Sequence, residues 1–410
     1  MGFIDVDSHI VECDETWDYL DPAESHHRPI KLAVTKGEDK NPVKFVSAVG
    51  TAYPALYGIG DGWGGIFPAD GLIRQNGNRY DNGTLNLRDP ARRIADLDFL
   101  GIDVQMLQST LFIGAQAQNP MAEAAIKRSW NRWMAERVAD SGGRLVWAAE
   151  VPTRVMERAI QEVEFAAAHG AKGVHLSGVE NHCYLDDPYF TPLFARMQDL
   201  DLSVVAHVGR PVTQSQVIFP IGSQFPSMAS FVEHVGSPWT VFWTAWVTDL
   251  NVRFPRLRIC INETGATWTH SLLHHWQRIL ASMGDFKVQK TDPAQLEEKN
   301  IFIASWADED IASLTALLGE NVMTIGTDYG HNDHASQLTG HTAMLDRTDI
   351  THEVATKIVD TNGRRAFGID PNFRPTDALR AEALKRGDEL PYTHALDSDL
   401  ASEFGIVRVG

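Results

Sequence analysis

Asp7 and His9 stand two positions apart at the end of a short apolar segment near the start of the chain. Alternate residues of a β-strand point to the same side, so both side chains can reach one point. A carboxylate and a neutral imidazole are common ligands of divalent metals. The spacing predicts part of a metal site, although Asp7 could also cap the following turn while His9 bonds a backbone carbonyl.

Three more polar residues follow apolar runs further along the chain. His207 ends SVVAH, Glu263 follows LRICIN, and Asp328 follows VMTIGT, with His331 close behind it. Glu263 could instead cap a helix that begins just after it. Five residues that share this placement at strand ends predict a metal centre: Asp7, His9, His207, Glu263 and Asp328.

Carboxylates outnumber imidazoles in this predicted ligand set. Such a set suits one or two divalent ions, with iron or manganese slightly favoured over zinc. A bound metal lowers the pKa of a coordinated water molecule, which would activate that water for attack on a carbonyl. The sequence therefore predicts a metalloenzyme that acts on a small molecule.

Four further residues are candidates for substrate contact. His175 ends KGVHLS and could face the substrate or the metal. Arg210 could hold a substrate carboxylate with two hydrogen bonds, or pair with local acids. Trp63, from an aromatic-rich stretch, and Tyr329, beside Asp328, complete the candidates and suggest a substrate with an apolar or aromatic body.

The elements that must position these residues alternate between strand and helix. Eight β-rich segments are predicted at 2–7, 102–108, 144–150, 172–177, 203–207, 257–262, 300–304 and 321–327. Helical spacing of apolar residues occurs at 88–100, 121–140, 153–169, 188–199, 265–283, 308–318 and 351–367. This alternation predicts an α/β fold, a (β/α)₈ barrel of the TIM type with its chemistry at the carboxyl ends of the strands; an open doubly wound sheet is the alternative.

Two regions do not fit the alternation. Residues 20–86 separate the first strand from its helix, and we interpret them as an insertion that forms a lid, or a plain loop. Residues 369–410 form a polar extension expected to wrap a neighbouring surface or subunit. The predicted organisation is one barrel domain over 1–368, insertion included, followed by this extension.

Composition excludes several classes of partner. The 410 residues carry 36 basic and 54 acidic side chains, a formal charge of −18, without a cluster of Lys or Arg, which argues against nucleic acid and anionic membranes. No signal peptide or membrane anchor is evident. Three scattered cysteines fit a reducing cytoplasm. We expect a cytoplasmic homodimer or higher homo-oligomer.

Several segments together resemble a known family: DVDSHIVE, DPARRIADLDFLGIDVQML, SWNRWMAE, GAKGVHL, VVAHVGRP, RFPRLRICINETGATW, GTDYGHND and NGRRAFG. The chain resembles, over residues 2–368, the amidohydrolase-2 family of metal-dependent enzymes, which includes aminocarboxymuconate semialdehyde decarboxylase. The resemblance implies metal ligands at Asp7, His9, His207 and Asp328. It also implies that Asp328 carries a proton in addition to binding metal.

The sequence departs from the decarboxylases of that family at two positions. Their first-strand His-x-His is Asp7-Ser8-His9 here, and Glu263 replaces a sixth-strand histidine associated with their catalysis. These acidic replacements favour hydrolysis of an amide, ester, lactone or thioester, with His331 or His175 stabilising the oxyanion. The alternative is decarboxylation of an aromatic or unsaturated acid; a binding protein that has lost its chemistry is a third, less favoured, interpretation.

Overall fold

The computed structural model describes residues 2–32, 44–47, 72–75, 78–113, 119–208, 228–282, 294–330 and 335–375. Eight parallel strands form one sheet: β1 (Ile4–Ile10), β2 (Val104–Ser109), β3 (Leu145–Glu150), β4 (Ala171–Leu176), β5 (Ser203–Ala206), β6 (Ile259–Ile261), β7 (Ile301–Ser305) and β8 (Met323–Ile325). Each strand pairs with the next one in the chain. The predicted (β/α)₈ barrel is confirmed.

The barrel is closed between its first and last strands. Ser8 and Tyr329 form a parallel bridge, and the His9 amide donates to the Tyr329 carbonyl at 2.6 Å. The Asp328 amide donates to the Asp7 carbonyl at 2.9 Å. This closure places the carboxyl ends of β1 and β8 side by side at the mouth of the barrel.

Helices lie between the strands. The main ones are α1 (Pro90–Leu100), α2 (Pro120–Val138), α3 (Met156–Ala168), α4 (Thr191–Asp199), α5 (Met228–Val247), α6 (Trp268–Ser282) and α7 (Ile311–Leu318). The chain continues through Gly340–Leu345, His352–Thr356, a π-helical turn at Lys357–Thr361, and Asn362–Phe367. Shorter helical segments occur at Asp14–Trp17, Pro22–His27, Asn82–Leu85, Pro188–Phe190, Leu250–Arg253 and Ala294–Glu298.

Local sequence explains where these helices begin and end. Asp89 and Asn119 cap α1 and α2 through their side chains, each followed by a proline at the first helical position. Gly101 ends α1 with a φ of 73°, a conformation that costs glycine little. The helix α5 was not predicted, because its sequence is rich in apolar and aromatic residues throughout and Pro238 lies inside it. Such a helix lacks the amphipathic period on which prediction depends.

Two apolar clusters form the core. The larger one lies between the strands and the surrounding helices. The smaller one takes alternate residues from six strands and fills the barrel interior, where Phe367 joins it from the last helix: Ile4, Val6, Val104, Met106, Val146, Ala148, Val205, Cys260, Phe302, Ala304, Ala366 and Phe367. The polar residues of the mouth therefore rest on an apolar floor.

A bulge in β1 changes which residues face the interior. The register with β2 runs from Asp5 opposite Gln105 to Ser8 opposite Leu107, so β1 contains one extra residue. A one-residue slip exchanges the two faces of a strand, and bulges often occur beside active sites. Ile4, before the bulge, and Val6, within it, join the interior cluster. After it, the odd-numbered residues point toward the mouth.

Part of the predicted insertion is described. Pro29–Leu32 pairs with Lys44–Ser47, and Leu72–Gln75 pairs with Asn78–Asp81, each as an antiparallel hairpin. A further small hairpin joins Val179–Glu180 to Cys183–Tyr184. Whether the insertion is a lid stays a prediction. Among the helices of the described ranges, none is long and apolar enough to cross a membrane.

Candidate metal centre

Asp7, His9, His207 and Glu263 converge at the mouth of the barrel. Each offers one ligand atom, and these four atoms lie within 4.8 Å of one another. His9 Nε2 and His207 Nε2 are each 3.5 Å from Asp7 Oδ1, and His207 Nε2 is 2.5 Å from Glu263 Oε2. All four residues are at most 5% exposed.

Backbone carbonyls orient both imidazoles. His9 Nδ1 lies 3.3 Å from the Ser109 carbonyl, and His207 Nδ1 lies 2.9 Å from the carbonyl of Val208. A proton on Nδ1 satisfies each carbonyl and leaves Nε2 as the lone-pair donor. The two rings meet edge to face with centroids 4.7 Å apart. Both Nε2 atoms therefore face the same small volume as Asp7 Oδ1.

Asp328 stands at the edge of this group. Its Oδ1 lies 3.4 Å from His9 Nε2, and its side chain is 3% exposed. Gly326, two residues earlier, permits this close approach of β8 to β1, because a Cβ there would lie 2.4 Å from the Cβ of Asp7. Asp328 is thus placed to ligate or to exchange a proton beside the centre.

Glu263 and Asp328 both have left-handed backbone conformations, with φ of 64° and 50°. Residues other than glycine rarely adopt this conformation, and those that do cluster at functional sites. Glu263 comes two positions after Ile261, the end of β6, and Asp328 comes three positions after Ile325, the end of β8. Because of the unusual φ, neither side chain continues the alternate in-and-out pattern of its strand. Both residues lie at the edge of the barrel that carries the candidate ligand group.

The electrostatics of the group favour a cation at its middle. Burial would lower the pKa of His207, but the carboxylates of Glu263 and Asp7 outweigh it and hold that pKa well above its usual range. Burial likewise opposes ionisation of Asp7, yet His207 and His9 keep the pKa of Asp7 well below its usual range. Burial lowers the pKa of His9 to about 4. The Asp7 carboxylate is therefore ionised beside a protonated His207, whose positive charge a divalent ion can replace.

The donor set fits a divalent metal. Two imidazole nitrogens and two carboxylate oxygens, all buried and brought together from β1 and the ends of β5 and β6, are ligands that zinc, iron and manganese accept. Buried carboxylates are costly unless paired or bound to a cation. The structure therefore supports a metal-binding site, without specifying the metal.

His175 lies beside the group and is held by a second carboxylate. Its Nδ1 is 2.8 Å from Glu150 Oε1, and its ring centroid is 6.3 Å from that of His207. Lys127 Nζ lies 3.6 Å from Glu150 Oε2, which keeps a positive charge behind this carboxylate. His175 is 10% exposed at its side chain, so it lines the mouth with its remaining nitrogen directed away from Glu150.

The other predicted site residues are distributed differently. Tyr329 does not join the centre: it is fully buried, its hydroxyl donates to Asp96, and the Arg93 guanidinium lies 3.6 Å from its ring centroid. Its backbone closes the barrel instead. His331, Arg210 and Trp63 lie outside the described residues, so their assigned roles stay predictions.

Two residues of the mouth escaped the sequence analysis. Gln108 is the last residue but one of β2, and its Nε2 donates to Asp7 Oδ1 at 2.5 Å. Glu150 ends β3 and pairs with His175. Both occupy the last positions of predicted strands, 102–108 and 144–150, where a polar residue is a signal for the mouth. A glutamine at a strand end is a weaker sign of a metal site than a histidine at a strand end.

Comparison with known proteins agrees with this geometry. The family model described as amidohydrolase matches residues 4–369. A 2-amino-3-carboxymuconate-6-semialdehyde decarboxylase from Dictyostelium discoideum is 21% identical over 307 residues, which cover 70% of this chain and 79% of that protein.

Solved structures of similar fold include an amidohydrolase from Mycobacterium avium subsp. paratuberculosis K-10. It has a TM-score of 0.70 and 18% identity, over 90% of this chain and 98% of that one. A 5-carboxyvanillate decarboxylase from Novosphingobium aromaticivorans, complexed with manganese and 4-hydroxy-3-methoxy-5-nitrobenzoic acid, has a TM-score of 0.53 and 21% identity, over 68% of this chain and 79% of that one. With a family model that spans nearly all of the barrel and a buried ligand group at its mouth, the chain belongs to the amidohydrolase family and is an enzyme of that superfamily.

Proposed function

We propose that this protein is a metal-dependent decarboxylase that acts on an aromatic or unsaturated carboxylic acid without an oxidant. The observation that carries the proposal is the buried group of Asp7, His9, His207 and Glu263 at the barrel mouth. The decarboxylase relatives give it a reaction class, including one that binds manganese and an aromatic acid. They favour the reaction that the sequence analysis ranked second.

In this reaction the bond between the carboxyl carbon and the substrate body breaks, and CO₂ leaves. The electron pair stays on the carbon that lost the carboxyl group, and that carbon must then receive a proton. A divalent metal held by the four ligands would supply positive charge that stabilises the electron-rich transition state. The residues around it must orient the acid and deliver the proton.

Asp328 and His175 are the two residues placed to act on the substrate beside the metal ligands. Asp328 Oδ1 lies beside His9, and His175 is oriented by Glu150 from the other side of the mouth. A carboxylate behind an imidazole stabilises the protonated ring whenever that ring takes a proton. We assign the proton transfer to Asp328, as the family resemblance implies, and substrate contact to His175.

Hydrolysis remains the second candidate because one observation favours it. Glu263 Oε2 lies 2.5 Å from His207 Nε2, where the resemblance places a histidine in decarboxylases. An added carboxylate would increase the negative charge around the metal. Asp328 would then be available as a general base for water. The two reactions differ in their products, which makes them separable by a single screen.

The test is a product screen with the protein loaded with Mn²⁺. One panel contains hydroxylated and unsubstituted aromatic acids and unsaturated acids; the other contains amides, esters, lactones and thioesters. Mass spectrometry would show loss of CO₂ from an acid, and in D₂O the product should carry deuterium at the carbon that lost the carboxyl group. Metal-stripped protein and Asp328→Asn should be inactive. Hydrolysis of the second panel without CO₂ release from the first would overturn the proposal.

A further inference from the structure

Gln108 is the residue of β2 that reaches the metal centre. It lies opposite His9 in the parallel register of β1 and β2 and is 1% exposed. Its Nε2 donates a hydrogen bond of 2.5 Å to Asp7 Oδ1. Because an ionised carboxylate only accepts hydrogen bonds, the amide nitrogen must be the atom that faces Asp7.

The oxygen that Gln108 holds is shared by both imidazoles. Asp7 Oδ1 lies 3.5 Å from His9 Nε2 and 3.5 Å from His207 Nε2. A carboxylate can rotate about its terminal bond, so a donor fixed to one oxygen sets which oxygen faces the centre. Hydrogen-bond partners of metal ligands orient those ligands in this manner.

The next residue of β2 supports the other ligand of the first strand. The Ser109 carbonyl lies 3.3 Å from His9 Nδ1, and the Ser109 hydroxyl donates to Glu12 at 2.6 Å. Glu12 also accepts from the indole nitrogen of Trp130 at 2.9 Å. The end of β2 is therefore anchored from behind, and Gln108 projects from a rigid segment rather than from a mobile loop.

The second polar atom of Gln108 is also buried. Its Oε1 has no hydrogen-bond partner among the residues that the structure describes. A buried amide oxygen without a donor is unfavourable, and most such atoms are satisfied by protein or by bound water. Because Oε1 belongs to the same amide that contacts Asp7, a donor for it would lie beside the ligands.

We propose that Gln108 is a positioning residue of the metal centre: its amide nitrogen fixes Asp7 for metal binding, and its amide oxygen accepts a hydrogen bond from an O–H group bound beside the metal. The O–H group is a water molecule or a hydroxyl of the substrate. The first part concerns this chain's metal affinity alone. The second part rests on the proposed function, since it assigns Gln108 a role in choosing hydroxylated acids.

The first experiment measures Mn²⁺ affinity, independently of any substrate, by chelator competition and by the electron paramagnetic resonance spectrum of bound Mn²⁺. Gln108→Met keeps the side-chain volume and removes both polar atoms, and should weaken Mn²⁺ binding by about 10–100-fold. Gln161→Met, the same change at an exposed glutamine of α3, should bind Mn²⁺ as the parent does.

A second variant covers the case in which Gln108→Met does not fold. Gln108→Asn keeps an amide but is one methylene shorter, so its nitrogen no longer reaches Asp7, and it should also bind Mn²⁺ more weakly. Circular dichroism and the unfolding midpoint establish that each variant is folded. Parental Mn²⁺ affinity and an unchanged resonance spectrum in a folded variant would overturn the positioning role.

The second experiment separates water from substrate hydroxyl as the donor to Oε1. If the substrate supplies the hydroxyl, the parent should prefer hydroxylated over unsubstituted acids in kcat/KM, and Gln108→Asn, at saturating Mn²⁺, should lose most of that preference. If water supplies it, kcat should fall equally for both acids. Unchanged kcat/KM for both would overturn the acceptor role, whereas a chain without decarboxylase activity would leave the metal-affinity result standing.

Discussion

The imidazole of His207 and the carboxylate of Glu263 meet at 2.5 Å between Nε2 and Oε2. Both side chains are buried, and the backbone of Glu263 has a left-handed φ of 64°. A left-handed glutamate costs on the order of 1–3 kcal/mol, which the surrounding structure must offset. The contact makes Glu263 part of the cation-binding group rather than the helix cap that the sequence also allowed.

We predict one divalent ion per chain. Ligand atoms bound to a single metal at about 2.0–2.2 Å can be no more than roughly 4.4 Å apart, close to the 4.8 Å span of the four atoms here. A second ion would lie about 3.5–4 Å from the first and would need further donors of its own. Elemental analysis of protein equilibrated with Mn²⁺ measures the ratio. Two tightly bound ions per chain would contradict the prediction and support a binuclear hydrolytic centre.

Glu263→Gln should weaken metal binding more strongly than the loss of a supporting hydrogen bond does. The substitution keeps the shape of the side chain but removes a negative charge next to His207, so the affinity for Mn²⁺ should fall by more than about 100-fold. Equilibrium dialysis provides the measurement. Glu157→Gln, at an exposed position of α3, is the matched control. Full occupancy in Glu263→Gln would remove Glu263 from the ligand set.

Gly326→Ala should disturb the centre without replacing a ligand. The new Cβ would lie 2.4 Å from the Cβ of Asp7 and 3.0 Å from its amide nitrogen, so one strand must shift. We expect the free energy of unfolding to fall by about 1–3 kcal/mol and Mn²⁺ to bind more weakly. Denaturant unfolding and dialysis test both effects. Gly236→Ala lies inside α5, where a Cβ meets nothing within 4 Å; it should leave Mn²⁺ binding unchanged and raise the free energy of unfolding by about 0.5–1 kcal/mol.

Glu150→Gln should reduce catalysis while leaving the metal in place. The amide can still accept from His175 Nδ1 but no longer stabilises a protonated imidazole ring. We expect kcat/KM to fall by about 10–100-fold on the best acid of the screen, as for other lost orienting partners. The Mn²⁺ content and the unfolding midpoint should be close to those of the parent. Unchanged kcat/KM would assign the Glu150–His175 pair to structure alone.

His341 should make stability depend on pH. Burial lowers the pKa of His341 from about 6.5 to about 4, while its Nε2 bonds the Leu100 carbonyl and its ring stacks on Phe3. A depressed folded-state pKa means that the stabilisation is present above pH 6.5 and is lost as the pH falls toward 4. The loss is at most about 1.4 kcal/mol per pH unit.

The measurement is the difference in unfolding free energy between the parent and His341→Phe at several pH values. Phenylalanine keeps the stacking on Phe3 but does not titrate. The advantage of the parent should be largest near pH 7.5 and should shrink between pH 6.5 and 4. A difference that does not change across this range would show that His341 contributes nothing to the pH dependence of folding.

The sequence by itself determined the barrel and most of the ligand group. Seven of the eight predicted strands end in a polar residue, and in parallel α/β folds those ends meet at one edge. The two-residue spacing of Asp7 and His9 was therefore enough to place them together, as their 3.5 Å contact confirms. His207 and Glu263 followed from the same rule.

Only the tertiary structure decided which neighbours complete the site. The bulge in β1 reverses the inward face after Val6, the left-handed backbone redirects Glu263, and Gln108 reaches Asp7 across the sheet. Tyr329, adjacent to Asp328, turns instead toward Arg93 and closes the barrel. Hydrophobic periodicity reports where a strand ends, because burial is repeated along the chain. It does not report register or a single unusual φ, because these are set by contacts between residues far apart in sequence.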